Sequence, residues 1–103
     1  MSEALIYKIA GEDEWRAAER AAVYAGSVAD RRDGFIHLST AVQLEETARR
    51  HFAGRTDLLL ITVATDGLDI RWEPSRGGAL FPHLYGVLPL SAVRAVAKYP
   101  GPA

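Results

Sequence analysis

Apolar residues recur at the spacing of an amphipathic helix in two segments of the first half of the chain. Three carboxylates at 12–14 would complement the positive end of the first helix, whose buried face would comprise Trp15, Ala18, Ala22 and Ala25. Thr40 and Gln43 have the spacing of a capping box, so a second helix is predicted to begin there and to end before Gly54. Between the two helices, the polar residues 30–34 are expected to form a loop.

Six further segments have the patterns of β-strands, namely 4–9, 35–38, 58–63, 68–73, 81–85 and 93–99. The segment 58–63 is almost continuously apolar, which favours a strand covered on both faces. Leu68, Ile70 and Trp72 alternate with charged residues, which is typical of a strand with one buried face. The segment 93–99 could also be a short helix, but no helix-ending signal follows it, and a strand is preferred. The segment 74–78, which holds Arg76 and two glycines, is expected to be a loop.

The order of these elements, with helices early and strands dominating later, indicates an α+β fold of about five or six strands and two helices. A chain of 103 residues is expected to form one domain, residues 1–103, with a radius of gyration of roughly 13 Å. With 49% hydrophobic and 24% charged residues, the composition is typical of a globular protein rather than a disordered one.

Charge and cysteine content narrow the classes of function. The chain has 12 Lys and Arg against 13 Asp and Glu, and this net charge of −1 provides no field to attract nucleic acids or anionic membranes. The lack of cysteine excludes disulfides, thiolate catalysis and cysteine-ligated metal sites. Apolar runs such as 58–61 are far shorter than the roughly 20 residues of a membrane span, and the N-terminus is acidic where a signal peptide would be basic. A cytoplasmic protein without nucleic acid or membrane partners is therefore expected.

The first group of candidate functional residues lies in the segment 33–40, Asp-Gly-Phe-Ile-His-Leu-Ser-Thr. On an extended backbone Phe35, His37 and Ser39 share one face. His37 would then lie at the end of a strand, directly before a helix N-terminus that could bind an anion. The alternative is structural, with a half-buried histidine and with Ser39 and Thr40 serving only to cap the helix.

The second group lies on the predicted strands 68–73 and 81–85. Alternation places Arg71 and Glu73 on the face opposite Trp72, and it also places together Phe81, His83 and Tyr85. A glycine-containing loop connects these strands, and loops on a rigid scaffold commonly carry binding sites. The alternative is an exposed, salt-bridged strand edge joined to a hairpin that contains proline and glycine.

His37, His83 and Glu73 together would also provide the ligand types of a facial metal-binding triad. No His-Glu-x-x-His or His-x-His spacing supports such a site, so these ligands would meet only through folding, and no metal is expected. The sequence has no phosphate-binding loop, no Gly-x-Gly-x-x-Gly and no Gly-x-Ser-x-Gly. His51 is expected to lie on the solvated face of the second helix.

The segment 33–40, then Gln43, then Trp72-Glu73, and then 81–86 with the sequence Phe-Pro-His-Leu-Tyr-Gly resemble the bacterial and plant family named domain of unknown function 952. The resemblance extends from Ile6 to about Val96, with the motifs in the order of that family. It implies a fold similar to that of the ADP-ribosyltransferases, in which split β-sheets surround a cleft for a nicotinamide dinucleotide.

The resemblance also implies roles for individual residues. His37 matches the strand-end position that holds the cofactor ribose, the hydroxyls of Ser39 and Thr40 would assist it, and His83 and Tyr85 would line the cleft. The acid departs from the pattern of that superfamily, because Glu73 precedes the His83 strand whereas the usual glutamate lies on a late strand.

Three hypotheses of function follow from these residues. The first is an ADP-ribosyl or phosphoribosyl-type transferase that takes NAD or a related nucleotide, with His37, Glu73 and His83 as catalytic residues. Its cofactor would be held by a second set of residues, namely Ser39, Thr40, Arg71, Phe81 and Tyr85. The second hypothesis is a non-catalytic small-molecule-binding module. The third is a metal-assisted hydrolase that uses His37, His83 and Glu73.

His37, Ser39, His83 and Tyr85 are predicted to line one concavity, with Ile70 and Trp72 packed away from it. The reason is the alternation of side chains along both strands. The separation of the two histidine rings in the folded chain checks this prediction. A distance well beyond about 15 Å would contradict it, because a ligand in a pocket of roughly 300–1,000 Å³ could not then touch both rings.

Overall fold

Three antiparallel sheets and three α-helices form the part of the chain that the computed structural model describes, residues 3–75 and 77–100. The strands are β1 (Leu5–Gly11), β2 (Val23–Tyr24), β3 (Ile36–His37), β4 (Leu58–Ala64), β5 (Ile70–Ser75), β6 (Ala79–Leu84), β7 (Leu88–Pro89) and β8 (Val93–Lys98). The helices are α1 (Glu12–Ala21), α2 (Val28–Asp33) and α3 (Leu44–His51), with a 3-10 turn at Leu90–Ala92. The predicted α+β class is confirmed.

The first sheet has the strand order β1-β4-β8 and places the most apolar strand at its centre. β4 pairs with β1 on one side and with β8 on the other. Leu58, Ile61 and Val63 of β4 are completely buried, as expected for a central strand that is covered on both faces. The prediction for 58–63 is therefore confirmed, and 93–99 is a strand rather than a helix.

The second sheet, with the order β3-β6-β5, carries most of the candidate residues. Its register places His83 of β6 opposite His37 on one side and opposite Arg71 on the other. Just after β3, Ser39 exchanges two backbone hydrogen bonds of 2.8 Å with Tyr7 of β1. This bridge connects the second sheet to the first, two residues away from His37.

The main core lies between these two sheets and α1. It contains side chains from every layer, including Ile6 and Ile61 of the first sheet, Ile36 and Leu84 of the second, and Trp15 of α1. The predicted start of α1 and the burial of Trp15 and Ala18 are confirmed. The helix ends earlier than predicted, because Ala22 has a left-handed φ of 65° and the next two residues form β2, which pairs with β7.

The predicted loop at 30–34 is wrong, because most of this segment belongs to α2. Ser27 and Asp30 form a capping box, in which the Ser27 hydroxyl accepts a hydrogen bond from the Asp30 amide and the Asp30 carboxylate accepts one from the Ser27 amide. Gly34, with a φ of 88°, ends the helix in the left-handed conformation that glycine adopts without a steric penalty.

None of the described helices is both long and apolar enough to cross a membrane.

The prediction that Trp72 is buried is also wrong, since this residue is 48% exposed. β5 is an edge strand. Ile70, at its start, packs against the core, whereas Trp72 lies two residues farther along the strand, opposite Pro82. β5 also continues through Pro74, which an edge strand tolerates because one side needs no backbone donor. The predicted loop is therefore shorter, and its Arg76 lies outside the described residues.

The two tryptophans provide a matched test of this packing. Trp15→Ala is expected to lower the free energy of unfolding by about 3–5 kcal/mol, because it empties a core position. Trp72→Ala is expected to cost about 1 kcal/mol or less, because the side chain is already half exposed. Urea denaturation of the two variants measures both values. Equal losses would contradict the outward placement of Trp72.

Candidate functional site

A cavity of about 560 Å³ lies between β1, α2 and α3 on one side and the second sheet on the other. Its volume is within the range of small-molecule sites. Four of the predicted site residues line it, namely His37, Ser39, Phe81 and His83. The other four lie outside its lining, namely Thr40, Arg71, Glu73 and Tyr85. The predicted concavity is therefore correct for both histidines and for Ser39, and wrong for Tyr85.

His37 is held by a carboxylate that its own backbone also contacts. Its Nδ1 lies 2.6 Å from Asp30 Oδ1, and the same oxygen accepts a hydrogen bond from the His37 amide. Its Nε2 lies 3.0 Å from Oδ2 of Asp33. Both ring nitrogens of His37 therefore face carboxylate oxygens, which accept hydrogen bonds when ionised.

Asp30 is held in turn by a buried lysine. Lys8 of β1 donates hydrogen bonds to Asp30 Oδ2 at 2.8 Å and to the carbonyl oxygen of His37 at 2.9 Å. Lys8 is 6% exposed and Asp30 is 2% exposed. Burial opposes ionisation of Asp30, but the hydrogen bond from His37 and the charge of Lys8 outweigh it, and the pKa of Asp30 lies well below its ordinary value.

His83 has a carboxylate partner of its own. Its Nδ1 lies 2.8 Å from Glu73 Oε1, which also accepts a 2.8 Å hydrogen bond from the Tyr85 hydroxyl. The contact with His83, followed by that with Tyr85, lowers the pKa of Glu73, and the hydrogen bond to Glu73 raises the pKa of Tyr85. Nε2 of His83 has no hydrogen-bond partner within residues 3–75 and 77–100, although the side chain is only 6% exposed.

Aromatic rings connect the two histidines. Phe35 stacks on His83 with a centroid distance of 4.0 Å, and it also contacts His37 and Tyr85 at 4.7 and 5.3 Å. The centroids of the His37 and His83 rings are 5.6 Å apart, so one small ligand can contact both. The guanidinium of Arg71 lies 4.1 Å from the centroid of Tyr85, on the side of this cluster away from His37.

The hydroxyl residues after His37 differ in role. Ser39 is buried at the cavity, with its Oγ 3.0 Å from Oγ1 of Thr47. Thr40 and Gln43 make the predicted reciprocal hydrogen bonds, but they surround a turn, and α3 begins only at Leu44. Gln43 also donates to the carbonyl oxygen of Leu80. These contacts favour the structural alternative for Thr40, whereas Ser39 lies at the cavity with its hydroxyl paired to Thr47.

The facial metal triad has no support in this geometry. Glu73 and Nδ1 of His83 contact each other, and both ring nitrogens of His37 face carboxylates. Among the described residues, no group of three or more potential ligands is arranged so that it could hold a metal ion. The three side chains thus lie near one another without pointing to a common position.

Sequence reasoning missed Lys8 and Asp30. His51 is exposed, as predicted, and it also lines the cavity. Lys8 had a recognisable signal, since it lies between apolar residues in a strand and a buried cation requires a buried acid. Asp30 also had one, because Ser27 precedes it at capping-box spacing. Thr47 had no comparable signal, since only the tertiary fold brings it to Ser39.

Comparison with protein families and solved structures gave two kinds of match. The model of the family described as Protein of unknown function (DUF952) matches residues 9–96. The crystal structure of protein CC0527 from Caulobacter crescentus, a structural genomics target, is similar at 47% identity and a TM-score of 0.88, over 92% of this chain and 85% of that chain. A solution NMR structure of CC0527 is similar at 45% identity and a TM-score of 0.84, over 95% and 90%. No curated protein matches this chain.

Acidification is expected to reveal the contribution of Asp30 to stability. Its pKa is lower in the folded chain than in the unfolded one, where it is about 3.9. The stabilisation is therefore complete above about pH 5 and is lost as the pH falls toward the folded-state pKa. Urea denaturation between pH 7 and pH 2 measures this loss.

Asp30→Asn supplies the comparison. It leaves Lys8 buried without a charge partner, and it is expected to lower the free energy of unfolding at pH 7 by about 3–5 kcal/mol and to flatten the acid dependence. The exposed Asp66 provides the matched control, since Asp66→Asn makes the same chemical change outside the site. A wild-type acid dependence that persists unchanged in Asp30→Asn would contradict the role of Asp30.

Proposed function

The chain belongs to the DUF952 family, and we propose that it binds NAD or a related nucleotide in the cavity beside His37 and His83. The arrangement of two small sheets around this cavity supports an ADP-ribosyltransferase-like fold. The volume of about 560 Å³ suits a ligand of nucleotide size held over part of its length.

The observation that carries the proposal is the position of His83. Its Nδ1 is fixed by Glu73, while its Nε2 remains without a partner among the described residues, and the ring lines the cavity. When such a ring is neutral, the carboxylate keeps the proton on Nδ1, and the lone pair of Nε2 is free to accept a proton. His83 is thus equipped to act as a general base, and Glu73 acts as its positioning residue.

The proposed reaction is substitution at the glycosidic carbon of the nucleotide. Nε2 of His83 takes the proton of a water molecule or an acceptor hydroxyl, whose oxygen forms a bond to that carbon. The bond between the sugar carbon and the nicotinamide nitrogen breaks, and the electron pair leaves with neutral nicotinamide. His37 and Ser39, on the same side of the cavity, would orient the sugar and its substituents.

One observation favours the second candidate, a non-catalytic nucleotide-binding module. A carboxylate in the cavity would stabilise a cationic sugar, but Glu73 lies outside the cavity lining, and its Oε1 accepts hydrogen bonds from His83 and Tyr85. Carboxylates that do line the cavity, such as Asp30, already contact cationic side chains. Binding and chemistry therefore need separate measurements.

NAD is expected to raise the melting temperature of the protein, since a ligand at 100 times its Kd stabilises the folded state by about 2.7 kcal/mol. Chromatographic detection of released nicotinamide measures the chemistry. His83→Gln is expected to preserve binding and to slow the release about 10²- to 10⁴-fold through loss of the general base. Trp72→Phe, which changes a side chain outside the cavity, is the control.

Two results would overturn parts of this proposal. Stabilisation by NAD without release of nicotinamide would establish the non-catalytic module instead. Failure of NAD, ADP-ribose and adenine nucleotides to stabilise the protein or to bind in calorimetry would exclude the nucleotide site.

A further inference from the structure

The outer nitrogen of His37 is covered by a carboxylate of the chain itself. Asp33 Oδ2 lies 3.0 Å from His37 Nε2, and both residues line the cavity. The two carboxylates on this ring differ in exposure. The side chain of Asp30 is 1% exposed, whereas that of Asp33 is 34% exposed. Asp30 is thus a fixed partner of His37, and Asp33 is a partner that can move away.

Asp33 carries a negative charge at the end of its helix where the helix dipole is also negative. It is the last residue of α2, where the negative end of the helix dipole disfavours an anion. Its compensation comes from His37 and from the neighbouring Arg32, whose Nε lies 2.9 Å from Asp33 Oδ1. Arg32 is 72% exposed and also lines the cavity, so this contact too is on the accessible side of the site.

We propose that Nε2 of His37 is an oxyanion subsite, and that Asp33 occupies it until a phosphate group of the ligand displaces the carboxylate. The inference rests on the proposed nucleotide site and names the part of the ligand that His37 contacts. A phosphate oxygen reproduces the charge and the acceptor geometry of the Asp33 carboxylate. On displacement, Nε2 of His37 and the guanidinium of Arg32 become available to the same anion.

The arrangement selects against neutral ligands. A ribose hydroxyl that displaced Asp33 would exchange a hydrogen bond to a charged oxygen for a weaker neutral one, whereas a phosphate again provides a charged oxygen. Competition with Asp33 also lowers the apparent affinity for the anion by the fraction of molecules in which the subsite is open. Removing the Asp33 charge should therefore tighten the binding of phosphates and leave the binding of neutral nucleosides unchanged.

Isothermal titration calorimetry with ADP-ribose, inorganic pyrophosphate and adenosine tests this inference. Asp33→Asn is expected to bind both anions about tenfold more tightly than the wild type, with adenosine unchanged. Asp33→Asn combined with His37→Gln is expected to lose that gain. Asp66→Asn removes the same charge from an exposed position and is expected to match the wild type.

The outcomes separate the subsite from the nucleotide site. If the wild type binds ADP-ribose and Asp33→Asn binds it no more tightly, the subsite is wrong and the nucleotide site stands. If Asp33→Asn tightens pyrophosphate alone and no protein binds ADP-ribose or NAD, the oxyanion subsite stands and the nucleotide proposal is wrong. An equal gain in Asp66→Asn would assign the effect to net charge and overturn the subsite. If no variant binds any of the probes, both are wrong.

Discussion

The buried ion pair between Lys8 and Asp30 is the interaction on which the site depends. It joins β1 of the first sheet to α2, and through the contacts of Asp30 with the ring and amide of His37 it reaches β3 of the second sheet. Removing two charges from water is costly unless each finds further partners. Lys8 meets that requirement with the His37 carbonyl, and Asp30 with His37 and the Ser27 amide. The same contacts that offset the desolvation of this ion pair also fix the position of His37.

The two histidines are oriented in the same way, but the surroundings of their Nε2 atoms differ. Each has its Nδ1 fixed by a carboxylate, Asp30 for His37 and Glu73 for His83, so that each Nε2 is the nitrogen left for a further contact. In His37 that nitrogen meets Asp33, which suits a binding role, and in His83 it is without a partner among the described residues, which suits proton transfer. Phe35 packs against both rings and keeps them adjacent.

Features of the fold and site that depend on local sequence patterns were predicted correctly. Features that depend on tertiary contacts were not. The alternation of β6 and the segment after Gly34 correctly bring His37, Ser39, Phe81 and His83 to one cavity. The same alternation fails for Trp72, because it cannot show where the core ends along an edge strand. Glu73 was correctly grouped with His83, but their direct contact could not be predicted, because the distance between them is set by the register of β5 with β6. Lys8 and Asp30 lie in separate elements, and their pairing has no local pattern.

Nitrogen-detected NMR of the histidine rings in the protein without ligand tests most directly whether Asp30 and Glu73 orient the two histidines. Both His37 and His83 are expected to carry a proton on Nδ1, with slowed exchange because Asp30 and Glu73 accept these hydrogen bonds. Asp30→Asn should change the His37 signals and leave those of His83 nearly unchanged. A His83 ring protonated at Nε2 alone would show that Glu73 does not orient this histidine. Fast exchange of both Nδ1 protons would show that neither carboxylate orients its histidine.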